Sequence, residues 1–126
     1  MPIQVIWGND IHTCDKEVKA IINKNIFNEW ESLNFSKYNG EDYNQLLNAL
    51  EESQTPPLGQ GSRVVLVKNN PLFNIKDETL TTKFDKNARN IPNTTYLILQ
   101  NNQKPDSRIK TTKLLKKLIH DGQASE

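Results

Sequence analysis

Apolar and polar positions along this chain switch repeatedly between two periods. Ile3 to Trp7 (IQVIW) is a β-rich run closed by Gly8-Asn9-Asp10, which predicts a buried first strand and a tight turn. Val18, Ile21, Ile22 and Phe27 then form an apolar stripe among Lys and Glu. They predict a helix capped by Asp10 or Thr13 and running to about Asn28. Leu33 to Tyr38 alternates as a half-buried strand does, and Gly40 breaks the run. Asp42 opens a second helix, with Tyr43, Leu46, Leu47 and Leu50 at helical spacing. Thr55-Pro56-Pro57 stops it, because proline donates no hydrogen bond and restricts the residue before it. Arg63 to Lys68 (RVVLVK) is the strongest strand signal, and its apolar run predicts burial on both faces. Ile75 to Ala88 reads as a helix with Leu80 and Phe84 inward, closed by Ile91-Pro92-Asn93. Thr95 to Leu99 (TYLIL) is another buried strand. Asp106 or Ser107 caps a last helix ending near Gly122, and residues 123–126 read as a frayed tail.

The resulting order, β-α-β-α-β-α-β-α, predicts an α/β fold: a parallel sheet with helices on both faces. No internal repeat or linker interrupts it, so residues 1–122 are expected to form a single domain, a size that 126 residues support. No strand is visible after the last helix. Either the sheet lacks an expected edge or the chain is a fragment. The net charge of +1 argues neither for nor against nucleic acid, so only local clusters can speak. One cysteine, Cys14, excludes an internal disulfide and a multi-cysteine metal site, and fits a reducing cytoplasm. No apolar run approaches the roughly 20 residues that span a bilayer. The N-terminus also lacks the basic and apolar regions of a signal peptide. A cytoplasmic protein without a membrane partner is expected.

Candidate chemistry is sparse. The turn after the first strand is where a P-loop would stand. Gly8-Asn9-Asp10-Ile11-His12-Thr13-Cys14-Asp15 has one Gly, no Lys and two acids, so it reads as a plain strand-to-helix turn and not an ATP site. His12 and Cys14 are two apart and face different sides of a helix, which is poor geometry for a nucleophile and its base. His12 with Asp10 or Asp15 makes no tetrahedral metal set. No catalytic residue, metal or cofactor is expected. Glu51-Glu52 reads as a solvated helix end. Arg108, Lys110, Lys113, Lys116 and Lys117 put five cations in the last helix, and Lys110, Lys113 and Lys117 share a face beside Leu114, Leu115, Leu118 and Ile119. That is the geometry of a phosphate-contacting stripe and equally of an amphipathic surface helix. In Thr55-Pro56-Pro57-Leu58-Gly59-Gln60-Gly61, Leu58 sits between a rigid Pro pair and a flexible Gly pair. It is either an exposed anchor offered to a partner or a helix stop packed inward.

Four segments together carry a resemblance. They are Gln4-Val5-Ile6-Trp7-Gly8-Asn9-Asp10, Asn34-Phe35-Ser36-Lys37, the stretch Thr55 to Val65, and Lys104-Pro105-Asp106-Ser107-Arg108 followed by Thr111-Thr112-Lys113-Leu114. In order and spacing they resemble the N-terminal domain of the bacterial DNA polymerase III delta subunit, over nearly the whole chain. The resemblance implies an AAA+-like (P-loop NTPase-like) domain with a degenerate nucleotide site. It implies a non-catalytic clamp-loader part that binds and helps open the sliding clamp (the beta subunit), alongside other clamp-loader subunits and DNA, with ATP bound elsewhere in the machine. Carried over by position, Pro57 and Leu58 are the apolar plug that enters the clamp, and Arg63 anchors its loop. The family usually has Phe where Leu58 stands. Its further strand, lid domain and collar domain are expected to be absent from this chain. The alternative function is nucleic-acid binding through Arg108, Lys110, Lys113 and Lys117.

Overall fold

In the computed structural model the described residues are 3–26, 28–59, 61–74, 76–122, 124 and 125, without the side chains of residues 28 and 125. The expectations that placed Phe27 on the first helix stripe, Gln60 in the proline loop and Ile75 at a helix start lie outside them.

Five strands, β1 (Ile3–Trp7), β2 (Phe35–Asn39), β3 (Arg63–Lys68), β4 (Thr95–Asn101) and β5 (Ala124–Ser125), form one sheet in the order β2-β3-β4-β1-β5. Every pairing is parallel, and Ile3, Leu97 and Val65 stand side by side across β1, β4 and β3. The helices are α1 (Ile11–Asn25), a single turn α2 (Glu31–Asn34) preceded by a 3-10 turn (Asn28–Trp30), α3 (Tyr43–Glu52), α4 (Glu78–Ala88) and α5 (Lys110–His120).

The apolar run of β3 is buried on both faces because two separate cores need it. Val65 and Val67 point toward Leu46 and Leu50 of α3, Leu80 and Phe84 of α4, and Leu115 and Leu118 of α5. Val64 and Leu66 point the other way, with Cys14 and Val18 of α1. Helices therefore cover both faces, as alternation with buried strands predicts. Phe73 and Phe84 meet edge to face, with ring centres 5.8 Å apart, at the centre of the larger core.

Four local expectations are corrected. The tail expected to fray instead adds β5: Ala124 pairs with Ile3 and is fully buried. Two residues are too few to show a period in sequence. The third long helix begins at Glu78, where the Asp77 carboxylate accepts from Leu80 N at 3.1 Å. Neither Asp106 nor Ser107 caps α5, whose N-cap is Ile109. Asp106 instead takes the Arg108 backbone N and guanidinium at 2.9–3.2 Å, so its carboxylate is spent on a residue before the helix. Leu33, expected at the start of the second strand, lies in α2 and is exposed. Among the described residues no helix is long and apolar enough to cross a membrane.

Candidate functional site

The segment from Ser53 to Ser62 carries the chain from α3 to β3. Its backbone is tied down along its length. Thr95 Oγ1 donates to Thr55 O at 2.6 Å, and Arg63 Nε donates to Pro56 O at 3.1 Å. Leu58 N donates to the Asn34 carboxamide oxygen at 2.7 Å, and Asn34 Nδ2 donates to Leu58 O at 2.8 Å. Ser62 N donates to Asn25 O at 2.9 Å. Gly59 has φ of +69°, and a Cβ there would stand 2.5 Å from the Trp30 ring, so only glycine fits. Against this fixed backbone the Leu58 side chain is 50% exposed, so Leu58 is not packed inward. Pro57 beside it is half-buried.

Arg63 is nearly buried, at 7% exposure, and its Nη1 meets Glu52 Oε2 at 3.2 Å. Tyr38 donates its hydroxyl to the other Glu52 oxygen at 2.6 Å. Burial and the Glu52 carboxylate together push the Tyr38 hydroxyl pKa up to about 12. Glu52 therefore does not belong to a solvated acidic helix end, although Glu51 does. Its partner is supplied by β3, beyond the reach of a local pattern.

A second candidate lies at the C-terminal ends of β1 and β4. These strands are neighbours, yet α1 covers one face of the sheet and α5 the other. That makes the crevice between them a topological switch point, where open α/β sheets bind ligands. Here it is a hollow of about 80 Å³ lined by Gly8, Ile11, Cys14, Lys68, Gln100 and Asn101, well below the roughly 300 Å³ of a small-molecule pocket. Asp10 occupies the first N–H groups of α1: its carboxylate accepts from His12 N at 3.0 Å, Thr13 N at 3.3 Å and the Thr13 hydroxyl at 2.8 Å. Asp15 accepts from Gln100 Nε2 at 2.8 Å and pairs with Lys68 at 3.3 Å. The Thr13 bonds hold Asp10, and the Gln100 and Lys68 contacts hold Asp15, below the usual carboxylate range. Asp10 thus places a carboxylate on the N–H groups at the start of α1, where an anion would otherwise be drawn. Cys14 is buried, and desolvation, with Glu17, Asp15 and Asp10 near it, pushes its thiol pKa up, which is the wrong direction for a nucleophile. No cluster of metal-binding side chains occurs among the described residues.

Three of the four basic candidates, Lys110, Lys113 and Lys117, lie exposed on α5 at a spacing that puts them on one face, and Arg108 stands outside that helix. Arg108 precedes α5 and is held by Asp106. Lys110 lies 3.7 Å from Glu78 across an exposed gap. Lys113 and Lys117 are exposed on α5, while Leu115 and Leu118 face the core. Over a wider span the asymmetry is strong: residues 76–120 carry ten of the 16 Lys and Arg but only four of the 15 Asp and Glu.

Sequence reading missed Asn34, Trp30, Glu52 and Tyr38 around the loop, and the Asp15–Lys68–Gln100 contacts at the crevice. Asn34 lies 24 residues from Leu58, a separation at which a lone Asn gives no signal.

The chain matches the sequence model of the family described as DNA polymerase III, delta subunit, over residues 5–122. Among solved structures it is similar to the Bacillus subtilis DNA clamp loader delta protein (YqeN), with a TM-score of 0.79 and 23% identity. That match covers 93% of this chain and 36% of the Bacillus chain, so the chain spans about a third of that protein's length. No curated protein sequence matches.

Proposed function

The chain belongs to the DNA polymerase III delta-subunit family, and from that premise we propose that it binds the ring-shaped sliding clamp and helps open it. In this reading it is a non-catalytic, cytoplasmic clamp-loader part that works with other clamp-loader subunits and with DNA, and needs no cofactor of its own. The observation that carries the reading is Leu58: an exposed apolar side chain on a loop whose backbone is already held. Such a side chain enters an apolar cleft with little further ordering to offset its burial. Pro57 sets the approach to it, and Arg63 holds the preceding carbonyl. The domain is read as AAA+-like with a degenerate nucleotide site, because the Asp10 carboxylate occupies the N–H groups at the start of α1 that would otherwise meet phosphate. The test is clamp binding by the full chain with Leu58→Ala. Truncating an interface anchor commonly costs about 2 kcal/mol, so affinity should fall roughly 30-fold while the melting temperature stays near wild type. Unchanged clamp affinity would sink the reading.

The charge partition favours a second reading, in which the basic surface at Lys113 and Lys117 contacts nucleic-acid phosphates.

A further inference from the structure

We propose that Asn34 is a positioning residue that aims the Leu58 side chain, acting through the Leu58 backbone; this rests on the reading of Leu58 as the clamp-contacting group. Asn34 is fully buried, and both ends of its carboxamide are spent on one residue 24 positions away. The amide offers Leu58 what a neighbouring strand would offer: an acceptor for its N–H and a donor for its C=O. With both groups held, the Leu58 backbone dihedrals are fixed, and so is the direction of its Cα–Cβ bond. The next residue is locked as well, since Gly59 lies against the ring of Trp30.

The turn that supplies these contacts does little else for the core. Asn34 is the buried residue of α2, while Leu33 beside it is 49% exposed. What the short turn 28–34 contributes is therefore directed at the proline loop. Without the Asn34 bonds, the ordering of Leu58 would be deferred to the moment of binding. Ordering the backbone of one residue corresponds to about tenfold in affinity.

The experiment is a four-variant cycle on the full chain: wild type, Asn34→Ala, Leu58→Ala and the double variant. Each is titrated with the sliding clamp ring, and hydrogen exchange is followed at the amide of residue 58. Asn34→Ala is expected to speed that exchange and weaken clamp binding about tenfold. On the Leu58→Ala background it should add less than about twofold, because it acts only through Leu58. Equal losses on both backgrounds would overturn the positioning role, as would unchanged exchange at Leu58. Where Asn34→Ala does not fold, Asn34→Leu, which keeps the side-chain volume and removes both amide groups, serves in its place. It should give the same faster exchange and background-dependent loss, and a background-independent loss overturns the proposal. If Leu58→Ala leaves clamp binding intact, the clamp reading fails. The exchange rate then still tests the Asn34 bond by itself.

Discussion

Replacing Arg63 by Met keeps the length of the side-chain stem in its pocket and deletes the guanidinium. Two bonds vanish: Nη1 to Glu52 at 3.2 Å and Nε to Pro56 O at 3.1 Å. The Pro56 carbonyl belongs to an exposed residue, so water can replace the second. The first matters more, because the two side chains are only 9% and 22% exposed and Glu52 is left charged without its partner. Removing one member of a fully buried pair costs about 3–5 kcal/mol; discounted for the partial exposure of Glu52, about 2–3 kcal/mol is expected here. For a domain of this size that is a fall of about 10 °C in melting temperature. The companion variant Arg63→Met/Glu52→Leu removes the stranded charge as well and should recover much of the loss. Tyr38 gives an independent readout through its phenolate absorbance. Its folded pKa is raised, so its contribution to stability is complete below the ordinary tyrosine value of about 10 and is lost as pH rises through about 12. Thermal denaturation of the two variants, with alkaline titration of the wild type, decides the matter. A loss under about 0.5 kcal/mol for Arg63→Met, or no recovery in the double variant, refutes the assignment of the Glu52–Arg63 pair as the support of this corner.

Two further outcomes follow from the crevice and the basic surface. Calorimetric titration with magnesium and ATP should show no saturable binding, because the Asp10 carboxylate already takes the N–H groups at the start of α1 and the turn before it carries no Lys; micromolar binding contradicts the degenerate-site reading. Substituting Lys113 and Lys117 by Gln should flatten the dependence of log DNA affinity on log salt by up to about 0.9 per lost phosphate contact, and an unchanged slope leaves α5 as a solvated face.

The parts of the fold legible in the sequence are those where a long run meets a single environment. β3 was readable because Val64, Val65, Leu66 and Val67 serve both cores at once, so no polar residue is tolerated there. α3 was readable because Leu46 and Leu50 recur at helical spacing and Pro56 and Pro57 forbid continuation. The misses are the short elements. α2 is one turn and β5 two residues, and each is held by what it touches: Asn34 by the Leu58 backbone, Ala124 by pairing with Ile3. Neither has the length for a period to appear.

The loop shows where sequence reading of a site must stop. Pro56, Pro57, Gly59 and Gly61 announce a stiff, tightly folded segment, because their preferences are local. Whether Leu58 faces solvent or core depends on contacts that no local rule contains. The carboxamide that holds its backbone comes from a preceding turn, and the indole that demands glycine at position 59 comes from the head of that turn. The same holds for charge. Glu52 next to Glu51 looks like a solvated acidic pair until β3 brings Arg63 beside it. Asp15 looks like one more surface acid until Lys68 and Gln100 converge on it from two strands. In each case the deciding partner lies on another element of the sheet, so the residue types could be read in advance and their pairing could not. A loop whose backbone is fixed from a distance can also be loosened from a distance. Substitutions at Asn34 or Trp30, which leave the sequence of the loop untouched, are therefore expected to change how Leu58 is presented.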